Sequence, residues 1–286
     1  MANLSASHGP AEHAPADDPS IAELIAARPW LVLDPLSGLM LDDVPLIQIA
    51  RSVGTPTWVY SAAVLRNRYA ALTRAMTDAG LDTQVHYAVK ANDSRAVLAL
   101  LAGLGAGADV VSGGELLKAI HAGIPARHIV YSGVGKSAAE LRLALQHGVG
   151  QINVESAEEL AMLSDIAVAM GRTARVALRV NPGVDAATHH KITTGRATDK
   201  FGIPYEDAAA LYARAAALPG IELVGLATHI GSQILGLAPF RDAYARIADL
   251  LRALRAQGRQ VSVVDCGGGL GILYHNEAAP SPAGLA

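Results

Sequence analysis

The strongest constraint on this chain is a repeat of element type rather than of letters. Short β-branched runs alternate with longer Ala- and Leu-rich stretches, and the spacing predicts strands at 84–90, 108–111, 128–132, 151–154, 175–181, 223–229 and 260–265. The first five begin 24, 20, 23 and 24 residues apart, the size of a βα unit. Amphipathic helices are expected between them at 94–104, 113–122, 137–147, 156–170, 205–217 and 240–257. Strands that alternate with helices form a parallel sheet, either rolled into a barrel or open and doubly wound. The expected strands end in Lys90, Ser132, Asn181, His229 and Asp265. Polar groups gathered at strand C-termini favour the barrel, whose active site is built there. The α/β expectation is therefore a (β/α)8 barrel of the TIM type, incomplete, with about seven of the eight strands. The stretch 275–286 is rich in Pro and Ala and carries no further strand signal.

A barrel of this kind needs a large apolar core, and 51% hydrophobic against 17% charged residues provides one. A net charge of −3, with Lys and Arg scattered, gives no basic footprint for nucleic acid and no membrane-surface stripe. Nor does any window approach the ~18 apolar residues of a membrane span. The single cysteine, Cys266, excludes an internal disulfide and a cysteine-built zinc site. Residues 1–20 lack the basic start and apolar stretch of a signal peptide and read as a disordered tail. Residues 21–56 read as a lead-in segment, with a short helix and an extended stretch over Ile21 to Asp43, 57–286 as the barrel domain, and the whole as a soluble cytoplasmic protein.

Four segments carry candidate chemistry. In His86-Tyr-Ala-Val-Lys90-Ala-Asn92 a lysine ends the first strand, ahead of a helix capped by Asp93 or Ser94. At an apolar barrel mouth its amine is desolvated and free to form an imine; a solvated strand-end lysine is the plain alternative. Asp265-Cys-Gly267-Gly268-Gly269-Leu-Gly271 follows the seventh strand, where barrel enzymes often hold a phosphate. Consecutive glycines let several N–H groups approach an anion, though they also suit a flexible turn. In Thr228-His229-Ile-Gly-Ser232-Gln233 the histidine is placed to stack on a flat ring, with Ser232 donating to a phosphate, or else it is simply satisfied within the fold. Asp109 and Glu115, around the second strand, are candidate cavity carboxylates or helix-capping groups.

Three look-alikes fall away. Gly135-Lys136-Ser137 ends like a P-loop, but position 130 is Val130 where that motif needs its first glycine. The run from Gly103 to Ala108 follows a helix and precedes a strand, the reverse of a dinucleotide fingerprint. His189 and His190 are adjacent, so they lack the spacing that aims two rings at one metal.

Taken together, and with Lys200-Phe-Gly-Ile203, these segments resemble the pyridoxal-phosphate decarboxylases with an alanine-racemase-like barrel, from about Pro56 to Tyr274. Within that group they are most similar to the diaminopimelate decarboxylases. The resemblance implies pyridoxal 5'-phosphate held by Lys90, with His229 stacked on its ring. It implies that Ser232 and Gly267 to Gly269 take the phosphate, and that Asp109, Glu115 and Arg179 line the cavity. The implied reaction is decarboxylation of the small-molecule amino acid meso-2,6-diaminopimelate to L-lysine, by a homodimer in the full-length form. Members of the group also carry a Glu-Pro-Gly-Arg segment and a C-terminal β-domain with Cys-Glu-Ser-Gly-Asp. Neither segment occurs in this sequence, so the expectation is a C-terminally truncated chain, poorly soluble and nearly inactive by itself. A decarboxylase of another basic amino acid, a racemase, a cofactor-free Schiff-base aldolase and a non-catalytic cofactor carrier stay open as alternatives.

Overall fold

The computed structural model describes residues 20–185, 201–272 and 278–286. His189, His190 and Lys200, which the sequence singled out, lie outside the described residues, as does Tyr274. The chain divides into two compact units, one ending at Asn67 and the other beginning at Arg68.

The first unit contains more regular structure than its sequence suggested. Ser20 and Glu23 form a capping box on the helix Ile21–Ala27. An antiparallel hairpin follows, Leu31–Asp34 with Gly38–Leu41. Asp34 Oδ1 accepts from the N–H groups of Leu36 and Ser37 at 3.0 and 2.6 Å, which closes the turn. Two helices, Leu46–Val53 and Ala62–Asp78, complete the run, and the second contains the division between units.

Among the described residues of the second unit, seven parallel strands form a ladder in chain order: β1 (His86–Ala88), β2 (Gly107–Val110), β3 (Ile129–Tyr131), β4 (Gln151–Val154), β5 (Ala174–Asn181), β6 (Ile221–Ala227) and β7 (Val263–Asp265), and the two-residue strand Ile203–Pro204 pairs with β5 off that path. The intervening helices are α1 (Arg95–Gly103), α2 (Gly113–His121), α3 (Ala138–His147), α4 (Ala157–Ala169), α5 (Tyr205–Ala215) and α6 (Ala238–Ala256). Among the described residues the ladder runs from β1 to β7 and does not close on itself. Three helices start alike. Ser112, Ser137 and Ser156 each accept, through the side chain, the N–H of a glutamate three residues on, a cap that fixes where each βα turn ends.

Alternation along the strands separates two environments. Ile152 and Val154 of β4, Val176 and Leu178 of β5 and Leu226 of β6 are fully buried in one core with Leu160, Leu163 and Leu254 of the helices. Gln151, Asn153 and Arg179, one residue out of phase, belong to the opposite face. That face is concave. Asn153 Nδ2 on β4 donates to Asp265 Oδ2 on β7 at 2.8 Å, although two strands lie between. In a flat sheet three inter-strand steps of ~4.8 Å would hold them about 14 Å apart. The sheet must roll for these side chains to meet. The roll also brings Asp265 within electrostatic reach of His86 on β1, at the opposite end of the ladder.

Candidate active site

Of the residues that the sequence marked, Lys90, His229, Ser232 and the glycines sit beyond the C-terminal ends of strands, while Asp109 lies in β2, Arg179 in β5 and Glu115 in α2. Lys90 does not end a strand. β1 stops at Ala88, and Val89–Ala91 form a single 3-10 turn, which Tyr87 tightens by donating from its hydroxyl to the Asn92 carbonyl at 3.3 Å. Ser94, not Asp93, occupies the helix N-cap position, while Asp93 pairs with Lys118. Lys90 is exposed, so the expected desolvation of its amine is not in place. The turn lifts it clear of the apolar strand that would have buried it.

His229 stands two residues past β6 and accepts from the Gly268 N–H at Nδ1, 3.2 Å away, so its own proton belongs on Nε2. Burial holds this imidazole at about 4, well below its ordinary range, and the charges of Arg179 and Lys90 push the same way against Asp265. A neutral, flat ring results at neutral pH. Burial likewise pushes the Asp109 carboxyl up to about 6; Asp265 adds to this, while a hydrogen bond from Ser132 and the charges of Lys90 and Arg179 oppose it. Both Asp109 and His229 thus feel Lys90, Arg179 and Asp265, which places these five groups in one electrostatic neighbourhood.

The glycine loop is held by its surroundings. Gly267 and Gly269 have φ of +68° and +108°, and a Cβ would meet the Thr228 carbonyl at 2.4 Å and the Gly231 carbonyl at 2.0 Å. These two glycines are required by the fold itself. Gly268 has no such demand: a Cβ there would meet nothing within 4 Å, which leaves open space beside the loop backbone. The loop after β6 is stitched to it. Ile234 N–H donates to the Gly269 carbonyl at 2.8 Å, Gly271 N–H to that of Ile234 at 2.9 Å, and Ile272 N–H to Gln233 Oε1 at 3.0 Å. Ser232, exposed, rides in that stitched segment.

Arg179 is held from behind. Glu155 Oε1 takes its Nη1 at 2.8 Å, with both side chains nearly buried, and Glu155 Oε2 accepts from the Gly202 N–H at 3.2 Å. Glu115 is different. Its carboxylate accepts from the Val111 N–H at 2.8 Å and its own N–H is capped by Ser112, the contacts of a helix start. Sequence reading passed over Glu155, Asn153 and Lys136 as site-building residues. An asparagine inside the apolar run Ile152-Asn153-Val154 was the available signal. Lys136 is buried, with Gly133 O, Asn153 O and Glu159 Oε1 each at 2.7 Å.

This geometry suits a flat, phosphate-bearing aldehyde cofactor: an exposed primary amine, a neutral ring above a glycine loop, and open space where a phosphate would rest. Residues 63–284 match the family described as pyridoxal-dependent decarboxylase, pyridoxal binding domain. The chain belongs to that family. Its cofactor is pyridoxal phosphate. Among pyridoxal-dependent decarboxylases, the chain is 48% identical over 246 residues to the diaminopimelate decarboxylase of Zymomonas mobilis, covering 86% of this chain and 58% of that one. The Aquifex aeolicus diaminopimelate decarboxylase is 44% identical over 87% of this chain and 58% of its own length. A crystal structure of the Helicobacter pylori enzyme in complex with L-lysine superposes with a TM-score of 0.81 at 36% identity, over 84% of this chain and 60% of that one. The chain thus spans about three fifths of these relatives' lengths. Among the described residues no helix is long and apolar enough to cross a membrane.

Proposed function

We propose that this chain is the cofactor-bearing part of a decarboxylase that converts meso-2,6-diaminopimelate to L-lysine. The observation that carries the reading is the convergence of Lys90, His229 and the Gly267–Gly269 loop at one end of a rolled sheet, in a chain 48% identical to a diaminopimelate decarboxylase. Lys90 would hold the cofactor covalently through its amine. His229 would lie on the ring, and its neutrality avoids setting a second positive charge against a protonated ring nitrogen. The phosphate would rest in the open space beside Gly268, held by the Gly267–Gly269 loop and the Ser232 hydroxyl, with the Gly267 and Gly268 N–H groups giving up their bonds to Asp265 and His229. Bound there, pyridoxal phosphate supplies the electron sink for the charge left when carbon dioxide departs. Arg179, braced by Glu155, and Asp109 would line the cavity wall; Glu115 would act by fixing the start of α2. In its full-length form the enzyme would work as a cytoplasmic homodimer, which sedimentation checks.

Mixing the chain with pyridoxal phosphate, reducing with borohydride and mapping peptides should place the adduct on Lys90, and Lys90→Ala should abolish it. Carbon dioxide release from diaminopimelate by a form extended to the relatives' length tests the substrate. An adduct that survives Lys90→Ala, or an extended form that spares diaminopimelate and decarboxylates another amino acid, would refute the corresponding half.

A further inference from the structure

Asp109 on β2 and the glycine loop after β7 stand on different sides of the rolled face, and one side-chain amide lies between them. Asn153 Nδ2 carries two hydrogens. One goes to Ser132 Oγ at 3.1 Å and the other to Asp265 Oδ2 at 2.8 Å. Its Oδ1 accepts from Gln151 Nε2 at 2.8 Å, and the nitrogen end faces Asp265 because a carboxylate oxygen accepts. Asn153 is 3% exposed and Gln151 7%, so water does not compete freely for these bonds.

The consequences follow from counting protons. A hydroxyl has one to give. Ser132 Oγ receives a hydrogen from Asn153, so its own is directed to Asp109 Oδ1, 2.6 Å away. Asp265 receives the other on Oδ2 and keeps Oδ1 for the Gly267 N–H at 2.9 Å. The groups that face Asp109 are Ser132, Lys90, Arg179 and Asp265. Those acting on Asp265 from elsewhere in the roll include His86 and His229.

We propose that Asn153 is a positioning residue that couples the two sides of the rolled face, directing the Ser132 hydroxyl onto Asp109 while fixing the carboxylate that holds the first turn of the glycine loop. Its meaning for catalysis rests on the cofactor reading above, but the coupling itself is measurable without cofactor.

Two readouts on the full chain decide it: the titration midpoint of the Asp109 carboxyl by carbon-13 NMR, and amide hydrogen exchange at Gly267. Ser132→Ala should raise the midpoint by about one pH unit and leave Gly267 exchange as in the parent. Asn153→Ala should raise the midpoint less and speed Gly267 exchange about tenfold, while the buried Leu178 amide of β5 is unchanged. Gln151→Leu, which frees the amide to turn, should give both effects in weaker form, and it decides the matter if Asn153→Ala does not fold. An Asn153 variant that moves only one readout overturns the coupling, as does acceleration that extends equally to Leu178. If the parent chain takes up no pyridoxal phosphate, the cofactor reading falls while these readouts still judge Asn153.

Discussion

Two strand-end segments of this molecule look alike by letter and behave oppositely. Gly133-Val-Gly135-Lys136-Ser137 follows β3, and Cys266-Gly-Gly-Gly-Leu-Gly271 follows β7; either could be read as a phosphate cradle. In the first, the lysine turns inward and all three of its hydrogens go to protein acceptors, with the side chain 1% exposed. In the second, two glycines are locked by backbone contacts and the third borders empty space. The difference teaches that a cation or a glycine marks an anion site only where room is left beside it, as it is at Gly268 and is not at Lys136.

The largest effect that would sharpen this contrast belongs to Lys136. Lys136→Ala strands the Glu159 carboxylate, which burial already pushes above its ordinary range, and should cost about 3–5 kcal/mol in urea unfolding. Replacing Lys136 and Glu159 together by Met and Leu should recover most of that loss, as expected of a buried pair swapped for apolar volume. A phosphate-binding lysine would instead lose ligand affinity with little change in stability.

Within the glycine loop the contrast can be repeated one residue apart. Gly269→Ala forces a methyl into the Gly231 carbonyl at a φ of +108° and should destabilise by roughly 2 kcal/mol or more. Gly268→Ala meets open space and should leave the unfolding midpoint nearly unchanged, within about 0.5 kcal/mol. It should still weaken pyridoxal phosphate uptake about tenfold, since the methyl occupies room the phosphate needs. Equal stability losses at 268 and 269 would break the comparison.

The smallest effect is a pH dependence. Asp109 titrates at about 6 when folded against about 3.9 unfolded, so between those values the folded state binds more protons and stability falls as pH rises. His229, at about 4 folded against about 6.5 unfolded, contributes the opposite slope over an overlapping window. Asp109→Asn removes the first slope and should gain roughly 2 kcal/mol near pH 7 in the absence of cofactor, fading below pH 4. Urea midpoints across pH 4–8 check this.

What could be read in advance followed the apolar periodicities. Strand β4 and the six helices fell where expected to within a few residues, because β-branched runs and Ser-x-x-Glu starts are local signals. Lys90 leaving its strand, and Thr228 and His229 standing past theirs, were less legible, since a β-friendly residue beyond the last ladder bond looks the same as one within it. The hairpin at Leu31–Asp34 and Gly38–Leu41 and the helix Ala62–Asp78 were passed over; the latter is rich in charge and weak in apolar pattern. Lys90, His229 and the glycines were readable as candidates close to strand ends, the lysine as an amine, the histidine as a flat ring and the glycines as backbone donors. Asn153 could be noticed only as an asparagine inside an apolar run; its partner Asp265, 112 residues away, is encoded by no local pattern.

That distance has a consequence for how the molecule comes into being. Because the seven strands pair in chain order, each can dock on its predecessor as it emerges, and the ladder grows by neighbour contacts that close quickly. The Asn153–Asp265 bond cannot form until β7 has arrived. Affinity for the aldehyde would therefore appear only once β7 has docked, so that ligand uptake reports a rolled sheet rather than a growing one.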